Sequence, residues 1–259
     1  MEKYNRLWRF LFAISMIAIA VQQLICGDFR PVIVPPAFPA WLPGRLTMTW
    51  IFSIILIVAC IAIIVEFKAG ITSLVLGAVL LLLTLFLQVP YELGMYPAHL
   101  GSWTDPLKEL ALSGGAFVVA GSLPQQRAKS SFIKLMGKLI PAGKYFIAVT
   151  MSAFGIDHFL YPEFVATLVP SWIPGHMFWT YFAGTALFLA GIAIILNLKR
   201  RLAARLLGLM ILSWFIILHI PRAIVDPHSG NGNEWTSVFE ALAFSGIAFI
   251  IAGKTKKSF

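Results

Sequence analysis

The sequence predicts an all-α membrane protein: eight transmembrane helices built as two parallel four-helix repeats, with N and C termini in the cytoplasm. Three observations carry this. Hydrophobic residues make up 59% of the 259 and charged residues only 12%, against roughly 45–50% and about 25% in soluble domains. Eight apolar runs approach the roughly 17–25 residues that a bilayer requires of a helix. The chain also matches itself at a spacing of 131 residues. With a mean hydropathy of +0.86, so few charges could not cover a water-soluble fold. A secreted enzyme, a disordered tail and, despite a net charge of +9, a nucleic-acid partner are excluded.

The predicted spans are 7–26, 47–65, 71–89, 107–123, 145–161, 177–197, 203–220 and 237–253. An even number puts both termini on one side. Sixteen of the twenty Lys and Arg fall on that side; only Arg30, Arg45, Lys108 and Arg222 fall on the other. Basic loops stay inside, so the termini are cytoplasmic, the protein is multi-pass in the plasma membrane, and the bilayer is its first partner. The first span is retained rather than cleaved, because Gln23, Leu24 and Ile25 before Cys26 are not the small residues of a signal-cleavage site. Cys26 and Cys60 lie at different depths with no Cys-x-x-Cys, which excludes dithiol chemistry within the chain.

The self-match pairs Trp41-Leu42-Pro43-Gly44 with Trp172-Ile173-Pro174-Gly175, and Pro90 with Pro221. One residue further on, Trp103-Thr104 aligns with Trp235-Thr236, and Leu110, Ser113, Gly114 and Phe117 with Leu242, Ser245, Gly246 and Phe249. Compositional bias lines up Ile and Ala, not Trp, Pro and Gly. The domains read as 1–123, a first four-helix repeat; 124–143, a basic cytoplasmic linker; and 144–259, a second four-helix repeat. Within the linker Phe132, Ile133, Leu135, Met136, Leu139 and Ile140 keep helical spacing, as expected of a short amphipathic helix on the leaflet. The alternative is an irregular connection between Pro124 and Pro141. Ser113-Gly114 and Ser245-Gly246 read as close-packing positions.

Polar chemistry is concentrated on the outer side, which holds all five histidines and nine of the eleven acids. An ionisable residue within a span costs roughly 2.5–3.5 kcal/mol at mid-bilayer. That singles out Asp157 and His158 in helix 5, whose first-half counterparts are Gln22 and Gln23, and His219 and Arg222 at the end of helix 7. These four are the candidate ligand-binding residues, expected to converge on one outward-facing pocket around an Asp157–Arg222 pair. Asp157 and His158 also admit a purely structural hydrogen-bonding role. Glu240 reads as the end of a Ser237-x-x-Glu240 capping box, and Asp105-Pro106 as the start of helix 4. No ligand spacing supports a metal, and no nucleotide, haem or Ser-His-Asp motif occurs.

Two stretches resemble the DoxX-like membrane family: Phe154-Gly155-Ile156-Asp157-His158-Phe159 followed by Val169-Pro170-Ser171-Trp172-Ile173-Pro174-Gly175, and His219-Ile220-Pro221-Arg222 followed by Glu234-Trp235-Thr236. The second half carries the resemblance directly and the first half only through the self-match. Members are four-helix membrane units, some similar to subunits of a thiosulfate–quinone oxidoreductase and others linked to thiol or oxidative stress. The resemblance implies a membrane subunit of an outward-facing, quinone-linked redox system, with a quinone as cofactor and a redox partner protein. It assigns no catalytic residue. The alternative is a permease or binding protein for a small molecule, using the interface between the two repeats.

Overall fold

The computed structural model describes residues 2–36, 44–124 and 130–253, and all regular structure among them is helical. The eight long helices are α1 (Glu2–Cys26), α2 (Arg45–Ile64), α3 (Ala69–Leu83), α4 (Thr104–Ser122), α5 (Gly143–Leu160), α6 (His176–Ile195), α7 (Arg200–Trp214) and α8 (Asn233–Ala252). Among the described residues seven helical rods are long and apolar enough to cross a membrane, as in a multi-pass helical membrane protein. The rod containing α4 lies outside that set. Asp105, Lys108 and Glu109 crowd its first turns, and those charges face the protein interior instead of lipid.

Each helix packs on its neighbours in sequence, and α8 closes the circle onto α1. The ring is bridged across its middle by α4 against α8. These two helices are the most enclosed, burying Ala111, Ser113, Gly114 and Ala116 on one and Ala243, Ser245, Gly246 and Ala248 on the other. Small side chains are what this requires, since without a hydrophobic drive in lipid, helices associate by close contact. A Cβ on Gly114 would fall 2.6 Å from the carbonyl of Gly143 in α5, and one on Gly246 2.9 Å from that of Trp8 in α1. The two serines before these glycines reach the other way. Ser113 Oγ donates to Gly77 O of α3 (2.8 Å) and Ser245 Oγ to Gly208 O of α7 (3.2 Å). By contrast α2 turns Ile51, Ile54, Ile55 and Val58 outward, as a lipid-facing helix should.

Sequence alone places helix ends at Val89 and Ile220, before Pro90 and Pro221. The helices instead continue through both prolines, to Met95 and Val225. A π-turn precedes each proline, at Thr84–Gln88 and at Phe215–His219. Proline lacks an N–H and crowds the carbonyl four residues back, and widening to i→i+5 spacing absorbs both defects. The spacing of 131 recurs elsewhere in the backbone. Gly44 and Gly175 are both left-handed N-caps, at φ 83 and 75. Lys68 and Lys199, at φ 47 and 43, both open the next helix from the left-handed region. Residues 41–43 of the Trp-Leu-Pro-Gly motif lie outside the described residues.

The connection between α4 and α5 contains a short helix, Ser131–Gly137. Ile133, Leu139 and Ile140 of this stretch pack against Leu74 of α3 and Phe117 and Ala120 of α4, while Leu135 stays exposed; the side chain of Phe132 and residues 125–129 lie outside the described set. At this same end α1 meets the last described residue, with Asn5 Oδ1 2.7 Å from where a Cβ on Gly253 would sit. We call this the terminal end, and the opposite one, with residues 27–36, 96–103, 161–175 and 226–232, the loop end. Cys26 and Cys60 are both free thiols.

Candidate functional site

A charged network fills the junction of α4 and α8 near the loop end. Lys108 Nζ of α4 lies 2.9 Å from Glu240 Oε2 of α8 and 3.6 Å from Asp105 Oδ1 one turn earlier. Glu240 is two turns into α8, which starts at Asn233. The expected capping box at Ser237 is therefore not formed; its carboxylate serves a partner on another helix. At about 1.5 Å per residue, Lys108 and Glu240 sit roughly 6 and 10 Å inside their helix ends. Replacing such a pair with aliphatic residues commonly costs nothing in stability, so stability does not explain it.

Arg30 reaches the same junction. The segment after α1 folds back so that Arg30 is 1% exposed. Its Nε donates to Thr236 Oγ1 (2.9 Å) and its Nη1 to Asn231 O (2.8 Å). Two glutamines of α1 set this geometry. Gln22 accepts from Thr236 Oγ1 (2.8 Å) and donates to Gly232 O (2.6 Å). Gln23 donates to Ser53 Oγ of α2 (2.9 Å) and accepts from Arg30 N (3.2 Å). Arg30 interacts electrostatically with Glu240, so the network crosses from the first half of the chain to the second.

The third arm comes from α7. Arg222 makes a two-pronged ion pair with Glu234, Nη2 to Oε1 at 2.7 Å and Nε to Oε2 at 3.1 Å. His219, on the π-turn, is within electrostatic range of Lys108, Glu234 and Arg222. Three buried atoms in and beside the network have no hydrogen-bond partner: Arg30 Nη2, Glu240 Oε1 and His219 Nδ1. Buried polar atoms are normally satisfied, so these mark where a further polar group would be held. One is a cationic donor, one a carboxyl acceptor and one an imidazole nitrogen able to do either.

Of the four predicted site residues, Arg222 joins this network through its ion pair with Glu234, and His219 lies within electrostatic range of it. His219, Asp157 and His158 make no hydrogen bond or ion pair with it among the described residues. The expected Asp157–Arg222 pair is absent because Glu234, just inside α8, takes the guanidinium. Asp157 interacts instead with His99, whose ring lies 5.0 Å from that of Tyr161. His158 Nδ1 donates to Phe154 O of its own helix (2.7 Å). The Cβ of His158 packs on Gly184 of α6, the structural alternative left open by the sequence. No cluster of His, Cys, Asp and Glu suited to a metal occurs among the described residues.

A separate feature lies on the lipid-facing side of α6 and α7. An open groove of about 1070 Å³ runs between them, from Trp172, Trp179 and Trp214 toward the loop end down to Lys199 and Leu202 at the terminal end. Ile217 faces the groove, whereas the Nδ1 of His219 two residues on is buried. Residues two apart on a helix point to nearly opposite sides, so α7 stands between groove and network.

Residues 147–240 match one family model. It is described as a domain of unknown function, DUF8561. The matched stretch runs from α5 into α8 and takes in Asp157, His158, His219, Arg222, Glu234 and Glu240. No curated protein and no solved structure matches the chain.

Proposed function

We propose that this protein binds a small polar molecule at the loop-end junction of its two halves, as a permease or a membrane binding protein. The observation that carries the reading is the set of unpartnered buried atoms on Arg30, Glu240 and His219 within an otherwise paired network. Ionisable groups at such depth are costly and mark functional sites by default. The donor and acceptor set suits a solute carrying both an acidic and a hydrogen-bond-donating group. In this reading the chain is two parallel four-helix repeats, 1–123 and 144–259, with α4 as the eighth span. The recurrence of left-handed caps and π-turns at a spacing of 131 supports it. Lys108 and Glu240 are then repeat-equivalent residues meeting at a two-fold axis.

The same reading puts the termini in the cytoplasm and the loop end outside, in the plasma membrane. Its support is the basic terminal end. A C-terminal alkaline-phosphatase fusion is expected to be inactive, and an active one overturns the orientation.

A second reading keeps the DoxX-like resemblance in front: a membrane subunit of a quinone-linked redox system, with a quinone as cofactor and a redox partner outside the chain. One observation favours it. His219 Nδ1, buried without a partner, can donate to a quinone carbonyl in the tautomer that carries its proton there.

One purification separates the two. The protein is extracted in mild detergent, its lipids are analysed for quinone, its ultraviolet–visible spectrum is recorded, and its thermal unfolding is followed across a panel of small acids, amines and zwitterions. The binding reading expects at least one solute to raise the unfolding temperature of the native chain, with the shift abolished in His219→Gln. Stoichiometric quinone with no stabilising solute replaces it with the redox reading.

A further inference from the structure

The groove between α6 and α7 does not end in lipid. Beside its terminal end is a second hollow of about 400 Å³ lined by Asn197, Lys199, Arg200, Arg201 and Leu202. Lys199 and Leu202 line both, so the two hollows adjoin there: an apolar trough beside a cluster of three cations. Backbone geometry fixes that cluster. Asn197 at φ 58 and Lys199 at φ 43 turn the chain sharply from α6 into α7 and place three consecutive basic residues on the turn. Lys199 and Arg201 are exposed and Arg200 is half-buried. The Nε of Arg200 is buried with no hydrogen-bond partner.

The corresponding turn between α2 and α3 provides an internal comparison. Lys68 has the same left-handed backbone as Lys199. It is followed by Ala69, which is buried, and Gly70, whose Cβ position lies 3.9 Å from Pro124 O. There the turn is covered by the end of α4 and carries one cation. In the second half it is open and carries three.

We infer that this is a specific site for one anionic phospholipid, its phosphate held by Arg200 and Arg201 with Lys199 beside it, and its acyl chains lying along α6 and α7. The chemistry is matched at both ends. Guanidinium groups bind phosphate oxygens through paired N–H donors, and Arg200, which lines the hollow, has an Nε still without a partner. Above it the walls are Ala190, Ala193, Leu206 and Met210, small and flexible residues that leave room for two hydrocarbon chains. The Trp172, Trp179 and Trp214 group caps the far end of the trough. The site is independent of the polar network, because α7 separates them.

The test is lipid retention by the full chain. Protein in mild detergent is incubated with equal phosphatidylglycerol and phosphatidylcholine, washed, and examined by native mass spectrometry. The expected result is one tightly held phosphatidylglycerol per chain, at least tenfold preferred over phosphatidylcholine. Arg200→Gln with Arg201→Gln should lose that preference, while Lys68→Gln keeps it. Ala193→Trp, which fills the trough and leaves the cations in place, should lower retention as well. Equal retention of the two lipids overturns the site, as does unchanged retention in the double variant. Displacement of the lipid by millimolar inorganic phosphate, or an Ala193→Trp variant that binds normally, overturns the acyl-chain part and leaves only a phosphate contact. Stoichiometric recovery of a quinone in place of phospholipid also overturns it.

Discussion

Lys108→Met is expected to lower the stability of the folded protein by about 3–5 kcal/mol, the range for breaking a buried ion pair by removing one partner. The size of the effect comes from what is left behind. Glu240 is only 3% exposed, Lys108 Nζ at 2.9 Å is its ion-pair partner, and its other carboxyl oxygen is already without a hydrogen bond. Asp105 loses less, since it is 32% exposed and can turn toward water. The double variant Lys108→Met with Glu240→Leu should recover most of the loss, because a buried pair replaced by packed apolar groups is close to neutral. Unfolding of the three proteins in one detergent, by denaturant or heat, gives the cycle. If Lys108→Met costs less than about 1 kcal/mol, or the double variant is no better than the single, Glu240 is not held by Lys108. A recovered double variant that no longer binds the proposed solute would separate the role of the pair in the proposed function from its role in stability.

The network also shows where sequence reasoning reached and where it stopped. The helical spans were legible because bilayer thickness fixes their length, and the choice of His219 and Arg222 followed from the cost of charge at depth. The spans were ended at Val89 and Ile220, where the apolar runs give way just before Pro90 and Pro221; the π-turns that carry both helices on are a backbone solution that composition does not announce. Arg30 was counted as an outer-loop cation, and nothing local to Asp28-Phe29-Arg30 says that the loop folds inward onto Thr236. Glu240 was assigned to a capping box because Ser237-x-x-Glu240 is satisfied within one helix, and the local explanation hid the distant one. A signal for the distant one existed. The alignment that pairs Leu110 with Leu242 also pairs Lys108 with Glu240, a cation and an anion at equivalent places in two central helices. In the proposed two-fold arrangement of the repeats, side chains near the axis meet their own equivalents, so opposite charges at aligned positions are candidates for a direct pair. Asp157 and His158 were chosen for depth alone, and depth does not reveal the direction in which a side chain points.

That direction is set by glycine, and a matched pair of substitutions tests it. Gly155→Ala is expected to destabilise by roughly 1–3 kcal/mol, as overpacking a tight contact does, although alanine is the better helix former by about 1 kcal/mol. The new Cβ would stand 2.6 Å from Phe188 N, 2.7 Å from Gly184 O and 2.8 Å from Phe188 Cβ. Two of these are backbone atoms, which cannot rotate aside, so α5 and α6 must separate. Gly94→Ala adds the same methyl group, also in a helix, with nothing within 4 Å of it. It should be neutral or stabilising by up to about 1 kcal/mol, through helix propensity and lost freedom in the unfolded chain. The opposite signs are the prediction, read from unfolding midpoints of the two variants beside the native chain. The contact also positions His158, whose Cβ lies 2.6 Å from the Cβ position of Gly184, one turn along the same crossing. α5 is anchored to α4 by the close approach of Gly114 and Gly143 and by Thr150 Oγ1 donating to Leu107 O (2.7 Å), so the separation falls on α6 and leaves α4 and α8 in place. Gly155→Ala should therefore weaken the fold and leave the proposed solute binding at the Lys108–Glu240 junction intact in the protein that remains folded. If it stabilises the protein as Gly94→Ala does, the α5–α6 approach is looser than described, and His158 is free to turn elsewhere.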